Sequence, residues 1–321
     1  MGLGILLIWL AVKDKTTEEL TNIKLAIQQA NYFWIIVSIT ASALSHYFRA
    51  LRWKLLLEPL HHTPGTRNTF FAVMVGYLAN LALPRLGEVS RCGILNRYEK
   101  VPFTEGFGSV IAERALDVVC LLILFFITLG LEFKKISGIA NDLIFTNVSN
   151  KFHALMQKQT FLIIGGIILF AGAAIVFYFR KKIQSLFSGK VKGFAKGLWD
   201  GLLSVKKVNK PVQFILHTVL IWIMYVLQAY VCFLAFAETA HTGFVVAMVI
   251  TVFGSLAIVV VPGGTGAYQA IVIQILTTVY FVSGTVSFAY AWAVWSSQII
   301  LILVLGLVSL VLLPVLNKNK I

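Results

Sequence analysis

Charge is scarce in this sequence, and negative charge scarcest: 13 Asp and Glu stand against 27 Lys and Arg in 321 residues, and charged residues make up 12% of the chain. A soluble globular domain carries roughly 25%, so an ordinary soluble fold is excluded. Cysteine is nearly absent. Cys92, Cys120 and Cys232 are isolated from one another in or beside apolar segments, which leaves neither a disulfide framework nor metal-ligand spacing. His61 and His62 are adjacent and on a helix face different ways. There is no Gly-rich nucleotide loop, no His-Glu-x-x-His and no polar stretch long enough for a soluble catalytic domain. No cofactor, no metal and no ATP-hydrolysing module is expected, and the chain is not read as an enzyme.

Apolar residues are what the chain has in abundance, 59% of it, with a mean hydropathy of +0.87. Eight segments are long enough to cross or deeply enter a bilayer: Tyr32–Leu51, Thr69–Leu83, Gly108–Leu131, Phe161–Phe179, Val212–Ala237, Phe244–Val261, Ala267–Val282 and Val286–Leu313. The expected fold is therefore an all-α polytopic integral membrane protein, a single transmembrane domain over residues 1–321. Met1–Val12 lacks the basic n-region and cleavage site of a signal peptide and reads as a short, uncleaved first helix.

The net charge of +14 is unevenly spread. Arg180–Lys210 holds nine Lys or Arg against Asp200 alone. Between two membrane helices such a cluster marks a cytoplasmic loop rather than a nucleic-acid site. Residues 181–211 also space Val191, Phe194, Ala195, Leu198, Leu202 and Val205 as one helical face, the pattern of a basic amphipathic connector lying on anionic headgroups. With that loop and the Lys318/Lys320 tail inside, both termini are cytoplasmic, and the expected location is the bacterial cytoplasmic (inner) membrane.

Two hydrophobic stretches are broken near their middles. One reads Asn80-Leu-Ala-Leu-Pro84-Arg85-Leu-Gly87-Glu88-Val-Ser-Arg91, the other Val261-Pro262-Gly263-Gly264-Thr265-Gly266-Ala-Tyr268-Gln269. Pro removes a backbone donor and Gly weakens a helix. Non-helical backbone survives at membrane depth only where protein or a wet cavity covers it. If Thr69–Leu83 simply crossed, Arg49, Arg52, Lys54 and Arg67 would face outward against the positive-inside rule. A re-entrant hairpin turning at Pro84–Gly87 removes the conflict. Treating Phe244–Val282 likewise, with its tip at Pro262–Gly266, yields an inverted repeat with halves near 1–131 and 160–315; the arms of this second stretch are nearly long enough to span, so eight or nine full crossings stand as the alternative.

Ionisable groups gather around the first break. Arg49 and Arg52 end the second apolar segment, followed by Trp53; Glu88 and Arg91 lie three apart; Glu113, Arg114 and Asp117 open the next long apolar helix. Such groups in membrane segments face partners or cavities. Two readings stand side by side: arginines receiving a phosphate headgroup with the acids orienting them, or an ion-pair network closing the hairpin. Glu88 and Arg91 are the first candidates for substrate contact or gating, while Arg49, Arg52 and Trp53 also fit simple interface anchors. Arg85 and Asn80 bracket the break, and Asn80 suits capping of freed carbonyls. Gly263, Gly264 and Gly266 permit close backbone approach or an anion at the following helix start, and Tyr268 and Gln269 are candidates for pointing polar atoms into a cavity.

Arg49-x-x-Arg52-Trp53, Pro84-x-x-Gly87-Glu88-x-x-Arg91, Glu113-Arg114-x-x-Asp117 and Pro262-Gly263-Gly264-x-Gly266, in this order, resemble the recurring motifs of the lysylphosphatidylglycerol synthase transmembrane-domain family. The resemblance covers essentially the whole chain and departs from the family's pattern at Gln269, where Glu is common. It implies a stand-alone, flippase-like protein without the synthase domain, moving an anionic or glycosylated lipid between leaflets. Membrane lipids, either anionic phospholipid or glycolipid, are the expected partners, together with a separately encoded lipid-modifying enzyme. The rival expectations are a polyprenyl-phosphate-dependent glycosyltransferase, which would need acids such as Asp14, Glu18 or Glu19, and a non-transporting scaffold for a lipid-synthesis enzyme.

Overall fold

A computed structural model of the protein describes residues 16–83, 85–132 and 203–318. The expected first helix at Met1–Val12, the segment Phe161–Phe179, Pro84 and residues 181–202 of the basic connector lie outside the described residues. By internal contacts the chain divides into two compact units, Met1–Thr128 with Gly197–Ile321, and Leu129–Lys196. The described helices lie in the first unit, save for the last residues of the helix that ends at Leu131.

The described residues of the first unit form helices joined by turns, with no strand among them. The helices are α1 (Thr17–Gln28), α2 (Tyr32–Leu57), α3 (Thr66–Ala82), α4 (Leu86–Glu99), α5 (Phe103–Leu131), α6 (Pro211–Phe233), α7 (Phe244–Val260), α8 (Ala267–Thr278) and α9 (Gly284–Leu316). A helix occupies most of each expected apolar segment that is described. α1 starts with a capping box: the Thr16 hydroxyl accepts from the Glu19 amide, and the Glu19 carboxylate accepts from the Thr16 amide. Asn31 caps α2 by accepting from the Phe33 amide, and its own amide donates to the Ala235 carbonyl beyond α6.

α3 and α4 form a helical hairpin. The helix stops at Leu83, since a residue before proline is steered out of the α region, and Arg85 reverses the chain in the left-handed region with φ 66°. The arms run antiparallel: Gly87 near the start of α4 meets Gly76 on α3, and Glu99 at its end accepts a hydrogen bond from Asn68. Asn80 does not cap carbonyls as expected. Its side-chain oxygen accepts from the Gly87 amide at 2.7 Å. The reason is that Arg85 supplies no capping side chain, so the first amides of α4 are the unpaired groups at this break.

α7 and α8 form the second hairpin around a 3-10 turn, Pro262–Gly264. Gly263, Gly264 and Gly266 all have positive φ, between 66° and 77°, which is why glycine occupies these positions. Gln269 closes the turn, its side-chain oxygen accepting from the Gly266 amide at 2.8 Å. Gly254 on α7 gives room to the Tyr268 ring on α8.

Two large apolar cores result, beside a small cluster of Val75, Tyr98 and Leu313. One, around Trp53, Leu56, Val73, Leu95 and Val110, joins α2 to α5. The other, around Phe233, Ile250, Leu276 and Tyr290, joins α6 to α9, with Phe233 and Tyr290 stacked at 4.5 Å. α2 crosses between them: the Ser38 hydroxyl donates to the Gln228 carbonyl of α6. α6 and α9 are long and apolar enough to cross a membrane, and only 39% and 22% of their most apolar windows are buried within the protein. Helices of a soluble core would be mostly covered; these present apolar surface outward.

The close approach at Gly87 carries a prediction. A β-carbon there would collide with the Gly76 carbonyl, so Gly87→Ala should destabilise the protein by about 3 kcal/mol or more, read as a fall in melting temperature in detergent. Gly93→Ala, on the same helix with nothing within 4 Å of the added carbon, should be neutral or stabilising by up to ~1 kcal/mol.

Candidate functional site

α2, α4 and α5 bring their ionisable residues to one place. Glu113 is 0% exposed and is the hub. Arg49 donates to it at 2.6 Å, Arg91 donates to its other oxygen, and the Arg52 guanidinium lies 3.4 Å away. Asp117, one turn further along α5, accepts from Arg49 and from Arg52, each at 2.6 Å. The i, i+4 spacing of Glu113 and Asp117 is what puts both carboxylates on the face of α5 that meets α2. Glu88 pairs instead with Arg114 at 3.1 Å. Glu88 and Arg91, three residues apart on α4, therefore serve different partners rather than each other.

Arg49 and Arg52 are not interface anchors. They are 3% and 0% exposed, held inward because two carboxylates of α5 lie across from them. Trp53 is likewise fully buried: its indole N–H donates to Ser109 at 2.9 Å, and the Arg91 guanidinium sits 4.0 Å from the ring centroid. The four arginines and three acids of this constellation sum to one surplus positive charge. Buried Nε atoms of Arg49, Arg52 and Arg91 have no protein partner.

Beside the network lies a cavity of about 540 Å³, within the range of small-molecule sites. The first hairpin contributes Tyr77, Asn80, Leu81, Arg85 and Glu88 to its wall, and the second contributes Ile258, Val259, Gly263 and Tyr268. The two tips meet here, Gly263 lying close to the Leu81 side chain and its carbonyl accepting from the Trp295 indole N–H of α9. Arg49, Arg114 and Asp117 reach the wall; Arg52, Arg91 and Glu113 stand behind it. Arg114, 39% exposed at its side chain, and exposed Arg85 are the most accessible cations. Of the second-hairpin candidates, Tyr268 reaches the cavity, whereas Gln269 is consumed as a helix cap at 1% exposure. Gly264 and Gly266 shape the turn, and the side chain of Pro84 is outside the described residues.

Several lining residues gave no signal of their own in the sequence: Ser42 and His46 on α2, Trp222 and Tyr225 on α6, Thr251 on α7. Tyr225 joins the network by accepting from Arg49 at 3.0 Å. Each is an isolated polar or aromatic residue in an apolar run, and only helix packing selects the face it occupies. The chemistry this wall supports is binding: guanidinium donors for an anion, neutral polar groups, and apolar rim residues such as Val259, 78% exposed. No group of three or more potential metal ligands occurs among the described residues.

Breaking the hub should be costly. Glu113→Gln removes one of two carboxylates facing three buried arginines, and a destabilisation of about 3–5 kcal/mol is expected. The double variant Glu113→Gln/Arg91→Gln restores the local charge sum and should recover part of the loss. Thermal melting of both in detergent checks this.

Comparison with known proteins agrees with the geometry. A family model described as the lysylphosphatidylglycerol synthase TM region matches residues 1–306. A UPF0104 membrane protein of Methanocaldococcus jannaschii is 24% identical over 168 residues, 51% of this chain and 42% of that protein. A UPF0104 membrane protein of Methanothermobacter thermautotrophicus is 22% identical over 269 residues, 77% of this chain and 76% of that protein. The chain thus spans less than half of the first relative and about three quarters of the second. No solved structure matches it. Membrane-protein relatives and outward-facing apolar helices make this an integral membrane protein. With the family model running over nearly its whole length, the chain belongs to the lysylphosphatidylglycerol synthase TM region family.

Proposed function

We propose that the protein moves an anionic or glycosylated lipid between leaflets, its headgroup lodging in the cavity at the two hairpin tips while the acyl chains stay in the bilayer. The observation that carries this reading is the pairing of surplus positive charge with an apolar rim on one cavity. A guanidinium suits a phosphate because its planar fork donates two parallel hydrogen bonds. In a low-dielectric wall an anion offsets the surplus charge that the acids leave. Arg114 and Arg85 would meet the phosphate first, with Glu88 releasing Arg114 as the headgroup arrives. Arg91 and Glu113 would act through the packing of the first hairpin.

In this reading both hairpins are re-entrant, α3–α4 from the cytoplasmic side and α7–α8 from outside, as two halves of an inverted repeat. α3 has 17 residues and α4 has 14, about 25 and 21 Å at 1.5 Å per residue. Both are shorter than the ~30 Å hydrocarbon core. The glycines of the Pro262–Gly266 turn would let the second hairpin pivot against the first, whose α4 is held by the Glu113 pairs. No step of this movement uses a nucleotide; gradients or coupled ions would drive it. A separately encoded lipid-modifying enzyme would supply or consume the lipid.

The topology predicts that a single cysteine replacing His61 is labelled by an impermeant maleimide only from the cytoplasmic side; labelling from outside overturns the re-entrant first hairpin. The transport reading predicts that vesicles containing the purified protein equilibrate a fluorescent anionic lipid across the bilayer. Arg114→Gln should slow that exchange about tenfold, as expected for loss of one charged hydrogen bond, without lowering the melting temperature comparably. Absence of exchange with every anionic or glycosylated lipid tried would sink the proposal.

A further inference from the structure

The cavity wall is not uniform, and its grading bears on the headgroup. α2 turns Ser42, His46 and Arg49 toward the cavity, and α6 turns Trp222, Tyr225 and Gln228. Ser42 lies seven residues from Arg49, about 10 Å along the helix. At the Arg49 end the wall is ionic, with Asp117, Arg114 and Glu88. At the Ser42 end it is polar but uncharged, with Gln228 and Thr251 opposite. A bare phosphate would use only the first end.

Among the buried polar atoms around this space that lack partners are Nδ1 of His46, Oε1 of Gln228 and Oε2 of Glu88, beside Nε of Arg49 and Nε1 of Trp222. His46 and Gln228 are 6% and 7% exposed, so these are not groups idling at a surface. A buried hydrogen bond left unmade is costly. A hydroxyl, which both donates and accepts, satisfies any of the first three. Trp222 and Trp295 add flat apolar faces to the same cavity, the surface on which the C–H face of a ring packs.

We propose that the ligand is a lipid whose phosphate carries a hydroxyl-rich ring, a sugar or cyclic polyol, and that an aminoacylated lipid is disfavoured. The inference rests on the lipid-translocation reading above and narrows it. The phosphate sits against Arg114 and Arg85, with Arg49 behind them; the ring hydroxyls meet Gln228, His46 and the free oxygen of Glu88. An ammonium headgroup meets the opposite situation. Glu113 and Asp117 are already paired with arginine and Glu88 holds Arg114 through one oxygen, and the surplus charge of the cluster repels a further cation.

The test uses the full chain in detergent micelles, with retained lipid counted by native mass spectrometry. Probes are phosphatidylinositol, phosphatidylglycerol, lysyl-phosphatidylglycerol and monoglucosyl-diacylglycerol at equal concentration. Phosphatidylinositol should be retained at least about fivefold over phosphatidylglycerol, the worth of one or two neutral hydrogen bonds, with the other two lower still. Gln228→Leu should erase that advantage by lowering phosphatidylinositol retention, and an unchanged melting temperature in detergent shows that the variant is folded. Soluble inositol 1-phosphate should bind more weakly than the lipid; equal binding would make a free sugar phosphate the ligand and overturn the lipid assignment. Equal retention of phosphatidylinositol and phosphatidylglycerol, or preference for lysyl-phosphatidylglycerol, overturns the ring proposal and leaves lipid translocation standing. Retention of none of the four overturns both.

Discussion

The carboxylate of Glu113 is the point on which the first half of the structure depends. It is completely buried, and arginines from α2 and α4 converge on it while it projects from α5. Ionised groups removed from water are tolerated only when each is paired and hydrogen-bonded. Arginines from two helices share this one carboxylate of a third, which fixes the three helices relative to one another while the pairs hold. Asp117 completes the arrangement by bridging Arg49 and Arg52. An apolar core of similar size would also hold these helices together, but it would tolerate sliding. Shared hydrogen bonds of fixed direction do not.

That lock requires backbone closeness elsewhere. Arg91 reaches Glu113 from a helix that lies against α3 with glycine facing glycine, Gly76 and Gly87. Side chains at either position would push α4 away and withdraw its guanidinium. At the far end of the same hairpin Asn68 binds both Glu99 and Asn317, so the end of α9 is tied to the hairpin's base. The second hairpin is fixed by different means. Its turn is made of left-handed glycines, its cap is Gln269, and Trp295 of α9 holds the Gly263 carbonyl. One hairpin is thus anchored by charge and the other by backbone hydrogen bonds and aromatic packing, and the cavity sits where their tips meet.

A consequence is a division of labour among similar residues. Arg49, Arg52 and Arg91 are buried and paired with the acids, and they set the electrostatic potential of the wall from behind or at its edge. Arg85 and Arg114 retain exposed donors inside the cavity or at its rim. The potential and the contact groups come from different side chains. A headgroup bound as proposed would therefore come and go without disturbing the buried pairs that hold the fold.

How much of this was legible beforehand differs from residue to residue. Helix positions, the two broken segments and the clustering of Arg49, Glu88, Arg91, Glu113 and Asp117 followed from local information: apolar run length, the backbone limits of proline and glycine, and the cost of charge among apolar residues. Resemblance of four short motifs carried the family. What local information did not contain was partnership. Glu88 and Arg91 share a helix face yet pair apart, Asn80 binds an amide rather than carbonyls, Trp53 is buried, and Gln269 is a cap rather than a cavity group. The polar wall of Ser42, His46 and Tyr225 was invisible because single polar residues in apolar helices look alike. Composition and spacing determine which residues are costly to bury and where a helix must end. Only the packing of helices distant in sequence decides which partner each buried group meets, because that depends on rotation and close approach that no single segment encodes.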